Sequence, residues 1–279
     1  MDMHAGCKPP RLENVIRPHL VKKAAENTRR YDIFHPSAWG YCLRKVAYQY
    51  YNEKGKFFQK TEADVNSRLE MIFDNGHHVH ARWQDYLANT GVLRGIWRCP
   101  NPTCGKRYGE GQKLGIFNPM DVRGWKCKCG NENKLEYDEV PIISEPEYNF
   151  RGNCDAILDF RGTPFEVKSA LDVIVVDFKS MKNDDFSKLT HAKPEHVVQV
   201  NIYIWVLGLK GGILLYENKD KQLVKEIFVP RDETLIERVK KEALWMSKIL
   251  KEGKLPTRKE FFGRSSEPCL WCEFRDLCY

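Results

Sequence analysis

No stretch of this 279-residue sequence is long and apolar enough for a membrane span. The most apolar one, residues 197–209, is short and interrupted by Gln199 and Asn201, whereas a spanning helix needs about 20 apolar residues. The first ten residues are polar and contain proline, without the apolar core of a secretory leader, so a cytoplasmic, reducing location is expected. Internal repeats and long low-complexity tracts are also missing, which sets aside solenoid and fibrous architectures. Neither sign of charge dominates. Forty-five Lys and Arg stand against 38 Asp and Glu, and 30% charged residues in that balance exclude wholesale disorder.

The net charge of +7 has a location. Residues 1–60 hold 12 basic and 5 acidic side chains, and the remaining residues balance at 33 each. Such a basic surface suits a polyanionic partner, nucleic acid first among them, although a merely solvated basic face fits the charge equally well. Ten cysteines in a chain without a secretory leader point to metal binding rather than a disulfide framework.

Hydrophobic periodicity predicts helices over 38–51, capped by Ser37, and over 61–89, with Val65, Leu69, Ile72, Val79, Trp83 and Leu87 on the buried face. Asn75-Gly76 is a candidate kink in the second. Strands are predicted over 153–160 and 164–169, joined by a compact turn at Arg161-Gly162-Thr163. Residues 177–191 read as a polar, lysine-rich loop. A helix over 195–207, a strand pair over 212–216 and 222–229, and an amphipathic helix over 232–251 complete the pattern.

Two cysteine constellations and one charged pattern carry chemistry. The tail reads Cys269-Leu-Trp-Cys272-Glu-Phe-Arg-Asp-Leu-Cys278, three thiolates that can converge on a soft metal centre but need a fourth ligand. Cys7, Cys42, Cys154 or a cysteine of the central group could supply it. Centrally, Cys99-Pro-Asn-Pro-Thr-Cys104-Gly and Cys127-Lys-Cys129-Gly are two turn-like pairs separated by 22 residues. Glycine after each pair suits a zinc-knuckle turn, although neither pair has the usual Cys-x-x-Cys spacing. This segment is basic, with nine Lys and Arg against three Asp and Glu in 94–134. Its Trp97, Tyr108, Phe117 and Trp125 are candidates either for base stacking or for the module's own core.

The charged pattern is Asp155, eleven residues before Glu166-Val-Lys168. Glu166 and Lys168 would share one face of a strand, with Asp155 on the strand before it. Two hard carboxylates can hold Mg²⁺ or Mn²⁺ against a scissile phosphate while the lysine orients water, the needs of phosphodiester hydrolysis.

A cysteine closely followed by arginine near the N-terminus, joined to the tail triplet and the Asp…Glu-x-Lys pattern, resembles the iron–sulfur nucleases of the RecB-like PD-(D/E)XK family, its AddB-type and CRISPR-associated members. The resemblance implies a [4Fe–4S] cluster on Cys42, Cys269, Cys272 and Cys278, stapling the tail to the N-terminal helix. It selects His80 as a metal ligand through Gly-x-x-x-His, with His77 one turn away as the alternative. It also selects Gln199 and Tyr203 through Gln-x-x-x-Tyr as supports of the site. The implied fold is α/β, a restriction-endonuclease-like core with a mixed central sheet flanked by helices, an inserted zinc ribbon and a C-terminal iron–sulfur tail. The expected division is a helical part over 1–93, the zinc-ribbon insertion over 94–139, the nuclease core over 140–230 and the C-terminal helix with its tail over 231–279. The implied activity is a metal-dependent DNA exonuclease acting on single-stranded or resected ends, with 5′→3′ polarity, beside a recombination or helicase partner protein. Spacing alone leaves zinc open at the tail cysteines. The competing readings are a non-catalytic DNA-binding or recombination-adaptor protein on the same scaffold, and a zinc-ribbon transcription factor. Cys7 and Cys154 are left without a metal role.

Overall fold

The computed structural model describes residues 12–26, 30–52, 67–109, 127, 129–130, 135–258, 263–270 and 272–279. Cys7, Val65, Phe117 and Trp125 lie outside them. The helices are α1 (Leu12–Glu26), α2 (Pro36–Trp39), α3 (Leu43–Asn52), α4 (Ser67–Thr90), α5 (Asn183–Lys188), α6 (Pro194–Leu207), α7 (Glu233–Lys251), α8 (Glu267–Leu270) and α9 (Arg275–Cys278). The strands are β1 (Leu93–Arg94), β2 (Ile96–Arg98), β3 (Arg107–Tyr108), β4 (Glu136–Asp138), β5 (Val140–Ile143), β6 (Arg151–Cys154), β7 (Ala156–Asp159), β8 (Val173–Met181), β9 (Gly211–Asn218) and β10 (Val224–Pro230). No described helix is long and apolar enough to cross a membrane.

A five-stranded mixed sheet runs in the order β1-β7-β8-β9-β10, parallel between β8 and β9 and antiparallel elsewhere. A parallel pair needs a crossover, and α5 and α6 supply it. The strand β8 is buried on both faces, which is why Val173–Val176 reads as an unbroken apolar run rather than an alternating one. Its Val175 packs with Val200, Tyr203 and Ile204 of α6, whereas Ile174, Val176 and Phe178 pack with Ala88 and Trp83 of α4. Strand alternation therefore turns Asp177 and Lys179 toward α6.

The predicted loop over 177–191 is thus corrected. Its first residues finish the central strand, and α5 follows. The strand predicted over 164–169 does not form. There the Asp172 carboxylate accepts from the N–H groups of Val167 (2.9 Å) and Ser169 (2.7 Å), which winds the segment into a turn. The helix predicted over 38–51 is two pieces, with Cys42 at the start of α3 instead of inside a helix. A Cβ on Gly40 would stand 2.5 Å from the Glu195 Cα, so glycine lets the end of α2 rest directly on α6. Ser37 lies within α2, and His35 occupies the cap position. The helix α4 runs through Asn75-Gly76 without a break, and its Leu69 and Ile72 are exposed rather than buried.

Two smaller sheets flank the main one, β3-β2-β4 and β5-β6. The chain leaves β1 for β2 at Gly95, and Tyr137 of β4 lies against that glycine.

Candidate active site and metal centres

Two carboxylates stand where the chain passes from one sheet to another. Asp155 separates β6 from β7, and Glu139 separates β4 from β5. The β5–β6 register pairs Val140 with Cys154, so the next step of the same antiparallel ladder sets Glu139 opposite Asp155. His80 joins them from α4, its Nδ1 3.4 Å from Asp155 Oδ1. One donor atom from each of His80, Glu139 and Asp155 lies within 4.8 Å of the others. Asp155 is held at both ends: its Oδ2 accepts from the Phe178 N–H at 2.6 Å, and its carbonyl accepts from Gln84 Nε2 at 2.9 Å.

That bond to Phe178 seats Asp155 on the backbone between Asp177 and Lys179. Lys179 Nζ is 2.7 Å from Asp177 Oδ2 and donates to Gln199 Oε1 at 3.0 Å. Gln199 Nε2 reaches Asp177 Oδ1 at 2.9 Å and Tyr203 Oη at 2.7 Å. The spacing of Gln199 and Tyr203, one turn apart on α6, presents both to β8. Gln199 is a splint that fixes the carboxylate and the ammonium together.

The electrostatics of the cluster are acidic and poorly compensated. Burial, with Asp155 beside it, pushes Glu139 up to about 7, against the opposing pull of His80 and Gln84. Burial pushes Asp177 up to about 6 despite Lys179, with Asp155 adding to the rise. Burial lowers His80, but the hydrogen bond and charge of Asp155 outweigh it and the net shift is upward. Crowded carboxylates in a low-dielectric site are a place where a hard cation would be welcome.

Of the residues singled out from sequence, His80, Asp155, Gln199 and Tyr203 come together here. Glu166 and Lys168 do not. They lie in the exposed connection 160–172, at the far end of β7, which starts about 13 Å from Asp155 at the ~3.3 Å rise of a strand. Glu166 accepts from the Gly162 N–H at 3.1 Å, and Lys168 has a left-handed backbone, φ 52°. Asp177 and Lys179 stand at the positions that the sequence reading gave to Glu166 and Lys168. The signal was present, an apolar run ending in Asp-x-Lys, but it adjoined a lysine-rich stretch. Glu139 had no local signal, since only ladder register brings it to Asp155. His77 is exposed on α4 and outside the cluster. Cys154 is fully buried beside Asp155, and burial raises its thiol well above the ordinary range, which suits packing.

Cys99, Cys104, Cys127 and Cys129 bring their four sulfurs within 4.8 Å of one another. Cys99 and Cys129 are 3.7 Å apart, Cys104 and Cys127 3.6 Å. Tetrahedral zinc with ~2.3 Å bonds separates its sulfurs by about 3.8 Å, so four thiolates fit it. Trp97 is buried against Tyr137 rather than displayed, and Tyr108 Oη lies 3.3 Å from Cys127 Sγ. Trp97 belongs to an interior that the module shares with Leu93, Ala156 and Ile174 of the main sheet, and Tyr108 packs against it.

Cys42, Cys269, Cys272 and Cys278 line one cavity of about 510 Å³, together with Arg44, Lys45, Lys193 and Arg275. The tail is also held on α3 by ordinary contacts. Tyr48 stacks on Phe274 at 5.3 Å and donates to the Leu277 carbonyl at 3.0 Å, and Arg44 donates to the Pro256 carbonyl at 2.6 Å.

No protein-family model matches the sequence. Among solved structures, the crystal structure of SSO0001 overlays with a TM-score of 0.45 at 15% identity, covering 96% of this chain and 95% of that one. The alkaline exonuclease of Laribacter hongkongensis, in complex with dAMP, gives 0.45 at 12% identity, covering 80% and 90%. In sequence, the chain is 30% identical over 204 residues to the CRISPR-associated exonuclease Cas4 of Saccharolobus solfataricus, an alignment spanning 68% of this chain and 87% of that protein. On that likeness over nearly the whole of its relative, the chain belongs to the family of CRISPR-associated Cas4 exonucleases.

Proposed function

We propose that this protein is a metal-dependent deoxyribonuclease of PD-(D/E)XK type, an exonuclease that hydrolyses phosphodiester bonds in single-stranded or resected DNA. The observation that carries this reading is the convergence of His80, Glu139 and Asp155 beside the Asp177–Lys179 pair. His80, Glu139, Asp155 and Asp177 are the residues that would hold Mg²⁺ or Mn²⁺, and the imidazole favours the latter. The cation supplies Lewis-acid polarisation of the scissile phosphate and of the attacking water. Lys179, fixed by Asp177 and Gln199, offers a positive charge to the transition state and orients the water. Tyr203 braces Gln199 from behind.

The reading extends to two further centres. Cys99, Cys104, Cys127 and Cys129 are the zinc ligands of a ribbon-like module inserted before the nuclease core. Cys42, Cys269, Cys272 and Cys278 hold a [4Fe–4S] cluster that clamps the tail to α3, closing a loop over most of the chain. Their shared cavity supports this. The four basic residues around the cavity would offset the negative charge of a thiolate-ligated centre. Protein purified without oxygen is expected to be brown, with a broad visible absorption that bleaches on reduction. Colourless protein with zinc at this site would reassign it.

End-labelled single strands and duplexes, incubated with the protein and Mn²⁺ or Mg²⁺, are expected to shorten from one end, and EDTA is expected to stop the reaction. The label released first reports polarity. DNA binding that survives EDTA, with no cleavage in either metal, would instead favour the adaptor reading.

A further inference from the structure

His196 lies one turn before Gln199 on α6, beside the candidate active site but outside its metal cluster. Its neighbour Tyr216 is the parallel-register partner of Lys179, so both side chains leave the sheet on the face that α6 covers. Tyr216 is fully buried. Its hydroxyl accepts from the Lys193 N–H at 3.1 Å and lies 2.9 Å from His196 Nδ1. The two rings are 5.6 Å apart, tilted by 33°.

This arrangement decides where the imidazole proton sits. A buried phenol must donate its one proton, and Nδ1 is the acceptor at hand. Nδ1 therefore accepts, and Nε2 carries the hydrogen. Among the described residues nothing accepts from Nε2, and the ring is only half-buried, which leaves this N–H available to a ligand. Burial, with the positive charges of Lys179 and Lys193, pulls the imidazole down to about 3, so it stays neutral. The result is an uncharged donor of fixed direction, set between two lysines.

We propose that His196 is a substrate-binding residue that donates Nε2–H to a non-bridging oxygen of the phosphodiester next to the scissile one, with Tyr216 as the positioning residue that fixes its tautomer. The proposal rests on the nuclease reading and names the substrate group that this wall of the site holds. A phosphodiester matches the site because it is anionic and only accepts hydrogen bonds, and the two lysines attract it. A neutral donor can grip it without placing a third positive charge beside Lys179.

The test walks a single methylphosphonate, which replaces one phosphate oxygen with a methyl group, along a single-stranded oligonucleotide. Affinity is measured in Ca²⁺ and the single-turnover cleavage rate in Mn²⁺, for wild type, His196→Ala and His196→Gln. One position is expected to weaken wild-type binding about tenfold, the scale of one hydrogen bond to a charged group. That penalty should shrink in His196→Ala to the part owed to the lost phosphate charge, and this variant already binds about tenfold more weakly. His196→Gln, whose amide can stand in for Nε2–H, should restore affinity and keep the full penalty. A purely structural histidine would weaken binding without reducing the penalty at one position. An equal penalty in wild type and His196→Ala at every position overturns the proposal, as does wild-type affinity in His196→Ala. Should His196→Ala fail to fold, His196→Gln with Tyr216→Phe repeats the comparison, with Tyr216→Phe expected to lose part of the penalty. Wild type that binds DNA but cuts none defeats the nuclease reading, while the binding walk still decides the role of His196.

Discussion

Lys179→Ala and Asp177→Asn should each lower strand cleavage by about 10³-fold or more, roughly 4 kcal/mol of transition-state stabilisation. Glu166→Ala and Lys168→Ala should cut within about twofold of the parent. The contrast follows from position. Asp177 is buried on the central strand, bonded to Gln199 and paired with Lys179, while Asp155 is docked on the amide between them. Glu166 and Lys168 project from a connection at the opposite end of β7. The two substitutions on β8 should also differ from each other. Removing the Asp177 carboxylate should weaken Mn²⁺ binding measured by calorimetry, whereas removing the Lys179 ammonium should leave it unchanged or slightly tighter. Full activity in both β8 variants, with loss in Glu166→Ala and Lys168→Ala, would return the motif to the connection.

The second large effect concerns the four-cysteine module. Wild-type protein is expected to carry one zinc there, and Cys99→Ser or Cys127→Ser is expected to lose it. Both side chains are buried among Trp97, Leu135 and Tyr108, so the loss should reach the module's small interior. Small zinc-bound folds commonly unfold without their metal. A separate low-temperature transition and a reduced near-ultraviolet signal from Trp97 are therefore expected. The module shares one core cluster with Ala88 of α4 and with Leu93, Leu158 and Ile174 of the five-stranded sheet, so that face should loosen with it, while the core against α6 should melt as before. The loss should also reach the active site. Glu139 follows β4 directly, so a disordered β4 frees one carboxylate of the cluster, and Mn²⁺ affinity should fall about tenfold. Retained zinc and an unchanged melt in both variants would remove the module as a metal site.

Much of the site was legible because its parts recur at short spacing. Gln199 and Tyr203 are one helical turn apart, and each central cysteine pair is tied by a local turn. Asp155 and His80 stood in short motifs. What stayed hidden depended on partners distant in sequence. A strand buried on both faces has no alternation, so β8 merged with the lysines that follow it, and its Asp177-Phe-Lys179, which lies beside Asp155, drew less notice than the exposed Glu166-Val-Lys168, which does not. Glu139 acquires meaning only through its ladder partner. The break between α2 and α3 is set by contact with Glu195, which no window around Gly40 contains.

The route of the chain through the four-cysteine module has one more consequence. Ile96 and Asp138 are direct antiparallel partners, so the chain leaves β1 and arrives at Glu139 and β5 at neighbouring points, about 5 Å apart. The module is therefore a graft on a closed stem. In engineering, the segment between the two cysteine pairs can be exchanged for another unit as long as the β2–β4 pairing that holds Glu139 in place is kept. An accessory unit can be traded only beyond this stem, because the stem itself carries a carboxylate of the candidate metal site.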